Sequence, residues 1–150
     1  GVRWMDNGGA LSIGSDSNIR IALSEELRTL EYSQRLRDGS RAALAAPELS
    51  TGRRIYAAAL AGGALSAGRD TGAIAPRLRA DLLALDGRHL DMEGRRGDTL
   101  LDTWIFAGDD RMVREVWSAG RHVVTDGRHM RREGIAARYR AAMRELGETI

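Results

Sequence analysis

Apolar positions change their spacing along this chain, and each change marks an element. Ala10, Leu11 and Ile13 form a short run that ends at Gly14, which predicts a buried strand over 10–14 with a sharp exit where glycine frees the backbone. Leu23, Leu27 and Leu30 then fall at i, i+4 and i+7, one stripe of a helix. Ser24 can cap that helix, and Glu25 and Glu26 would oppose the positive end of its macrodipole. Gly39 is its expected end, and 42–48 reads as a loop closed by Pro47. Thr51 is placed to cap a second, alanine-rich helix over 52–61, where Arg53 and Arg54 read as first-turn surface residues. Gly62-Gly63 is expected to interrupt it, and a short turn over 64–67 should stop at Gly68 in a left-handed cap.

From residue 73 the spacing becomes that of strands and turns. Residues 82–85 are continuously apolar, 113–117 and 122–125 read as a hairpin joined across 118–121, and Asp86-Gly87 and Asp126-Gly127 mark turns. Asp81 reads as a structural carboxylate bonded to backbone. Residues 99–106 are ambiguous by spacing, and helix is the reading adopted. Ile135, Tyr139, Met143 and Leu146 recur at i, i+4, i+8 and i+11, so the chain should end in an amphipathic helix over 133–146. Trp104, Trp117 and Phe106 read as core aromatics. The expected fold class is α/β.

The residue that changes this picture is Asp16, set among Gly14, Ser15 and Ser17 directly after the first apolar run. A carboxylate shown on small residues at the end of a buried strand is how a (β/α)8 barrel presents a metal ligand or base. Gly, Ser and Asp are also turn residues, so the tetrapeptide alone leaves both readings open. Ser15 and Ser17 could steady the second oxygen of Asp16 by hydrogen bonding, or could simply be small enough to fit beside it.

Composition narrows the chemistry. The 150 residues, 43% of them apolar, can bury one core. The chain has no cysteine, and all 23 of its Lys+Arg positions are arginine, which removes thiolate and Schiff-base chemistry. No Gly-x-Ser-x-Gly elbow occurs. His89, His122 and His129 stand far along the chain from Asp16, without the spacing of a zincin helix, and read as loop and hairpin residues. The net charge is only +2, and the arginine cluster that starts at Arg128 and runs to Arg144 is interrupted and followed by Glu133, Glu145 and Glu148, so nucleic acid is not an expected partner. The longest apolar stretch, 55–65, is far short of the roughly 20 residues that span a bilayer, and no signal-peptide pattern opens the chain; no membrane partner is expected.

Gly14-Ser15-Asp16-Ser17-Asn18, Glu25-Glu26-Leu27-Arg28, Leu30-Glu31-Tyr32 and Leu101-Asp102-Thr103-Trp104-Ile105-Phe106-Ala107-Gly108 together resemble the formiminoglutamate deiminases of the amidohydrolase superfamily. Ala80-Asp81-Leu82 and Gly120-Arg121-His122-Val123-Val124 are similar to amidohydrolases at large. The resemblance covers nearly the whole chain, but only the C-terminal part of the family's polypeptide, and the family's His-x-His metal pair is absent here. It implies residues 1–72 as the end of a (β/α)8 catalytic barrel, 73–132 as a small β-sandwich-type domain, and 133–150 as a terminal helix. The chain is accordingly expected to be a fragment.

By the same resemblance Asp16 would be both metal ligand and catalytic base, beside one divalent ion, usually zinc. It would take a proton from the attacking water and pass it to the departing nitrogen. The implied reaction converts N-formimino-L-glutamate to N-formyl-L-glutamate and ammonia, in a cytoplasmic enzyme that forms a homo-oligomer, a dimer. The alternatives are another aminohydrolase or chlorohydrolase acting on a purine, pyrimidine or triazine ring, and a folded module that binds no metal.

Overall fold

A computed structural model describes residues 1–148. Its elements are α1 (Val2–Asp6), α2 (Leu23–Asp38), α3 (Thr51–Ala67), β1 (Leu82–Leu85), α4 (Asp98–Asp102), β2 (Val113–Ser118), β3 (Arg121–Thr125), β4 (Arg128–His129) and α5 (Arg132–Gly147). Two 3₁₀ turns, Leu90–Met92 and Asp110–Met112, lie among them, and α4 runs directly into a wider π-helical turn, Thr103–Ala107. The helix expected over 99–106 is thus present in two forms. The π turn closes where the Gly108 N–H donates to the Thr103 carbonyl at 2.8 Å.

α2 and α3 end as their sequences require. Gly39 and Gly68 hold φ of 61° and 59°, left-handed caps that a residue with a Cβ adopts at a cost. Their beginnings differ from expectation. Ser24 lies inside α2 rather than before it, and its hydroxyl donates to Asp110 Oδ1 at 3.1 Å. Ser50, not Thr51, caps α3, accepting the Arg53 N–H at 3.2 Å. Two carboxylates of α4 complete that end of α3: Asp102 accepts the Gly52 N–H at 2.7 Å and Asp98 accepts the Ser50 N–H at 3.4 Å. They serve orphan donors and oppose the helix dipole together.

Gly62-Gly63 does not interrupt α3, which is continuous over 17 residues. Glycine in a helix costs about 1 kcal/mol relative to alanine, and packing accounts for Gly62. A Cβ there would sit 1.9 Å from the Leu11 carbonyl oxygen, so the missing side chain is what lets the N-terminal segment lie against α3.

That segment is the main departure. Residues 1–7 contain the short helix α1, and 10–14 form no strand. A strand exists by pairing, and among the described residues the backbone of 10–14 takes part in one hydrogen bond only, from the Trp4 indole N–H to the Ala10 carbonyl at 2.8 Å. The run stays irregular, with Leu11 and Ile13 half-buried.

Among the described residues the β region is a four-stranded antiparallel sheet in the order β1-β2-β3-β4. Ala119-Gly120 and Asp126-Gly127 join its last three strands, all four residues at positive φ between 48° and 79°, as two-residue hairpin loops demand. The core lies between α2, α3 and the π turn: Leu27, Leu44, Ile55, Met92, Trp104, Ile105 and Met112. Among the described residues no helix is long and apolar enough to cross a membrane. α5 forms where its periodicity places it, but none of its residues is buried.

Candidate functional site

Asp16 occupies a tight turn closed by the Asn18 N–H donating to the Ser15 carbonyl at 2.9 Å. Its φ is +47°, a left-handed value that aspartate tolerates better than most residues. The turn is held from both sides. Upstream, Leu11 rests on Gly62 and Ile13 packs against the core. Downstream, Asn18 Nδ2 donates to Glu26 Oε1 at 3.0 Å and the Arg20 guanidinium pairs with Glu25 at 3.0 Å. The Glu-Glu pair opening α2 therefore fastens the loop that carries Asp16.

At the tip of this turn Asp16 is exposed, and among the described residues no hydrogen bond or ion pair reaches its carboxylate. Ser15 is half-buried and Ser17 exposed; neither hydroxyl bonds to Asp16. The three histidines lie elsewhere. His122 bonds Glu115 through Nε2 at 2.7 Å and stacks on Trp117, His89 Nδ1 accepts the Asp91 N–H at 3.3 Å, and His129 Nδ1 accepts the Arg131 N–H at 3.2 Å. Among the described residues no group of three His, Cys, Asp or Glu could hold a metal ion. A catalytic zinc takes three protein ligands, so the described residues do not by themselves make such a site.

Several polar side chains position this part of the fold without a direct sequence signal. Glu31, 1% exposed, accepts the Ala43 N–H on one oxygen and the Leu44 N–H on the other, each at 2.9 Å. It lies four residues after Leu27, inside the stripe that the spacing assigns to the core, and that offset is the signal by which it could be found. Arg28 donates to the carbonyls of Ile105 at 2.6 Å and Gly108 at 2.5 Å, satisfying the end of the π turn. Arg54, read as a surface residue, donates to the Ala45 carbonyl at 2.8 Å and pairs with Asp6 at 2.7 Å. Asp81 is the structural carboxylate expected: it accepts the Ala119 N–H at 2.7 Å and the Thr71 hydroxyl at 3.0 Å, and these bonds, in that order, hold its pKa below the usual aspartate value.

No protein-family model matches the sequence. A formimidoylglutamate deiminase of Pseudomonas aeruginosa is 49% identical over 148 residues, which make up 98% of this chain and 32% of that protein. The chain is related to the formimidoylglutamate deiminases. It spans about a third of that relative's length. The crystal structure of an amidohydrolase from Brucella melitensis superposes with a TM-score of 0.86 at 39% identity, over 97% of this chain and 32% of the other. An adenosine deaminase from Xanthomonas campestris, solved with bound zinc, superposes with a TM-score of 0.79 over 99% of this chain and 34% of its own. At 24% identity that likeness shows the shared fold alone. The resemblance read from the motifs is borne out, and the mixed helix and sheet architecture is that of the C-terminal part of amidohydrolase-superfamily structures.

Proposed function

We propose that this chain is the C-terminal part of a cytoplasmic amidohydrolase that releases ammonia from the formimidoyl group of N-formimino-L-glutamate, and that Asp16 moves the proton. The observation that carries this reading is the 49% identity to a formimidoylglutamate deiminase, extending through 98% of the chain. Asp16 supports it by its placement: an unengaged carboxylate at the tip of a turn anchored to both α2 and α3.

The chemistry asks for one proton carrier. Water adds to the electrophilic formimidoyl carbon; its proton goes to the Asp16 carboxylate and then to the nitrogen that departs, so the C–N bond breaks with ammonia rather than an amide ion as leaving group. The products, formyl-glutamate and ammonia, balance the substrate plus water. In our reading Asp16 is also one ligand of a divalent metal, with zinc first choice, and the others come from polypeptide beyond this chain. The substrate's two carboxylates call for arginine forks, which we assign to that same polypeptide.

In the complete enzyme, Asp16→Asn should lower turnover by about 10²–10⁴-fold, the range for a positioned acid-base group, measured as ammonia released from N-formimino-L-glutamate. Asparagine keeps the shape and loses the basicity. Turnover close to wild type would make Asp16 a turn residue only. Faster ammonia release from adenine or another amino-substituted ring than from formimino-glutamate would overturn the substrate.

A further inference from the structure

Asp16 holds its φ at +47°, and a left-handed residue that carries a Cβ keeps such an angle only while its surroundings impose it. One backbone bond closes the turn, from the Asn18 N–H to the Ser15 carbonyl at 2.9 Å. The stretch from there to α2 has little apolar grip, since Ile19 and Ile21 are 99% and 78% exposed. Two polar contacts remain among the described residues. Arg20 reaches Glu25 at 3.0 Å with a side chain 77% exposed, and an ion pair so open to water holds little. The other runs from Asn18 Nδ2, which donates to Glu26 Oε1 at 3.0 Å.

Asn18 therefore works at both ends of the anchor. Its backbone closes the turn two residues after Asp16, and its side chain ties that turn to the start of α2. The Glu26 carboxylate has no other partner among the described residues. Beneath it α2 is a firm base. Leu27 is fully buried, Arg28 bonds the carbonyls of Ile105 and Gly108, and Glu31 bonds the amides of Ala43 and Leu44. A group supported from a rigid helix is placed more closely than one on a free loop. We propose that Asn18, through Glu26, is a positioning residue for Asp16: it holds the carboxylate in its left-handed turn and thereby sets the rate of the chemical step. This rests on the reading of Asp16 as proton carrier, and adds to it a residue that acts only through another.

Reversing the direction of the bond tests this in the complete enzyme. Asn18→Asp sets two carboxylates face to face and should lower kcat by about 10–100-fold, the range for outer groups that orient a reacting one, with KM nearly unchanged. Adding Glu26→Gln supplies a donor for the new acceptor and should restore most of kcat. The double variant still carries the extra charge beside Asp16, so its recovery reports the bond and not the charge. Hydrogen exchange on this chain gives a reading apart from activity. Protection of the residue 18 amide, relative to its intrinsic rate, should fall in Asn18→Asp and return in the double variant. Asp16→Asn is assayed alongside. If Asp16→Asn is inactive while Asn18→Asp keeps wild-type kcat, the positioning role alone is overturned. A loss of kcat that Glu26→Gln does not repair also overturns it, as does unchanged amide protection in Asn18→Asp. Wild-type turnover in Asp16→Asn would remove the proton reading and the positioning role with it.

Discussion

Glu31 shows how a single side chain can govern the ground around a site without touching it. Each of its oxygens accepts one backbone N–H of the loop after α2, from Ala43 and Leu44, in a place water does not reach. Glu31→Gln keeps the shape but replaces one acceptor with an NH₂ group, so one buried donor faces another. That arrangement should cost about 1–3 kcal/mol, seen as a lower urea midpoint with unchanged slope. Asp81 sets a pH dependence of known sign. Its folded pKa lies below the unfolded value, so its contribution is complete above the ordinary aspartate range and fades as the pH falls through the lowered folded value. The protection of the Ala119 amide, relative to its intrinsic exchange rate, should therefore fall in acid, once pH drops below about 4, and Asp81→Asn should remove that component of the pH profile. A wild-type profile identical to that of Asp81→Asn would refute the role.

Among the elements, those fixed by their own residues could be read in advance and those fixed by neighbours could not. Gly39 and Gly68 end helices by a local conformational need, and both ends are where the sequence places them. The hairpins follow from Ala119-Gly120 and Asp126-Gly127 for the same reason. Residues 10–14 look like a strand by composition, yet a strand needs a partner edge and this one finds none among the described residues. The continuity of α3 through Gly62 was hidden too, because the reason for that glycine is Leu11, about 50 residues earlier in the chain. For the site, the motif surrounding Asp16 was legible, but its anchors on Glu25, Glu26 and Gly62 depend on folding. Gly62→Ala makes the competition measurable: the helix gains about 1 kcal/mol of propensity and meets a carbonyl at 1.9 Å. The clash should win, with a net loss of roughly 1–3 kcal/mol and faster exchange of amides over 10–16. A stabilised variant would show that the segment yields freely.

At the scale of the whole molecule, large apolar side chains stand in solvent on several elements: Ile19 is 99% exposed, Ile74 91% and Leu36 85%. A chain that spans a third of its relative's length, with no group of three metal-ligating side chains among its described residues, should not work alone if the proposed metal reading holds. We expect the 150-residue chain to release no ammonia from N-formimino-L-glutamate and to lose zinc on dialysis against a mild chelator; stoichiometric retained zinc would contradict the assignment of the remaining ligands to other polypeptide. The bonds from Arg28 to Ile105 and Gly108 also carry a consequence in time. Their partners lie 77 and 80 residues further along the chain, and a ribosome adding about 5–20 residues per second needs roughly 4–16 s to deliver them. During that interval α2 must wait with Arg28 and Leu27 uncovered, so the nascent chain has a window in which a chaperone or a premature contact can reach the half-made core.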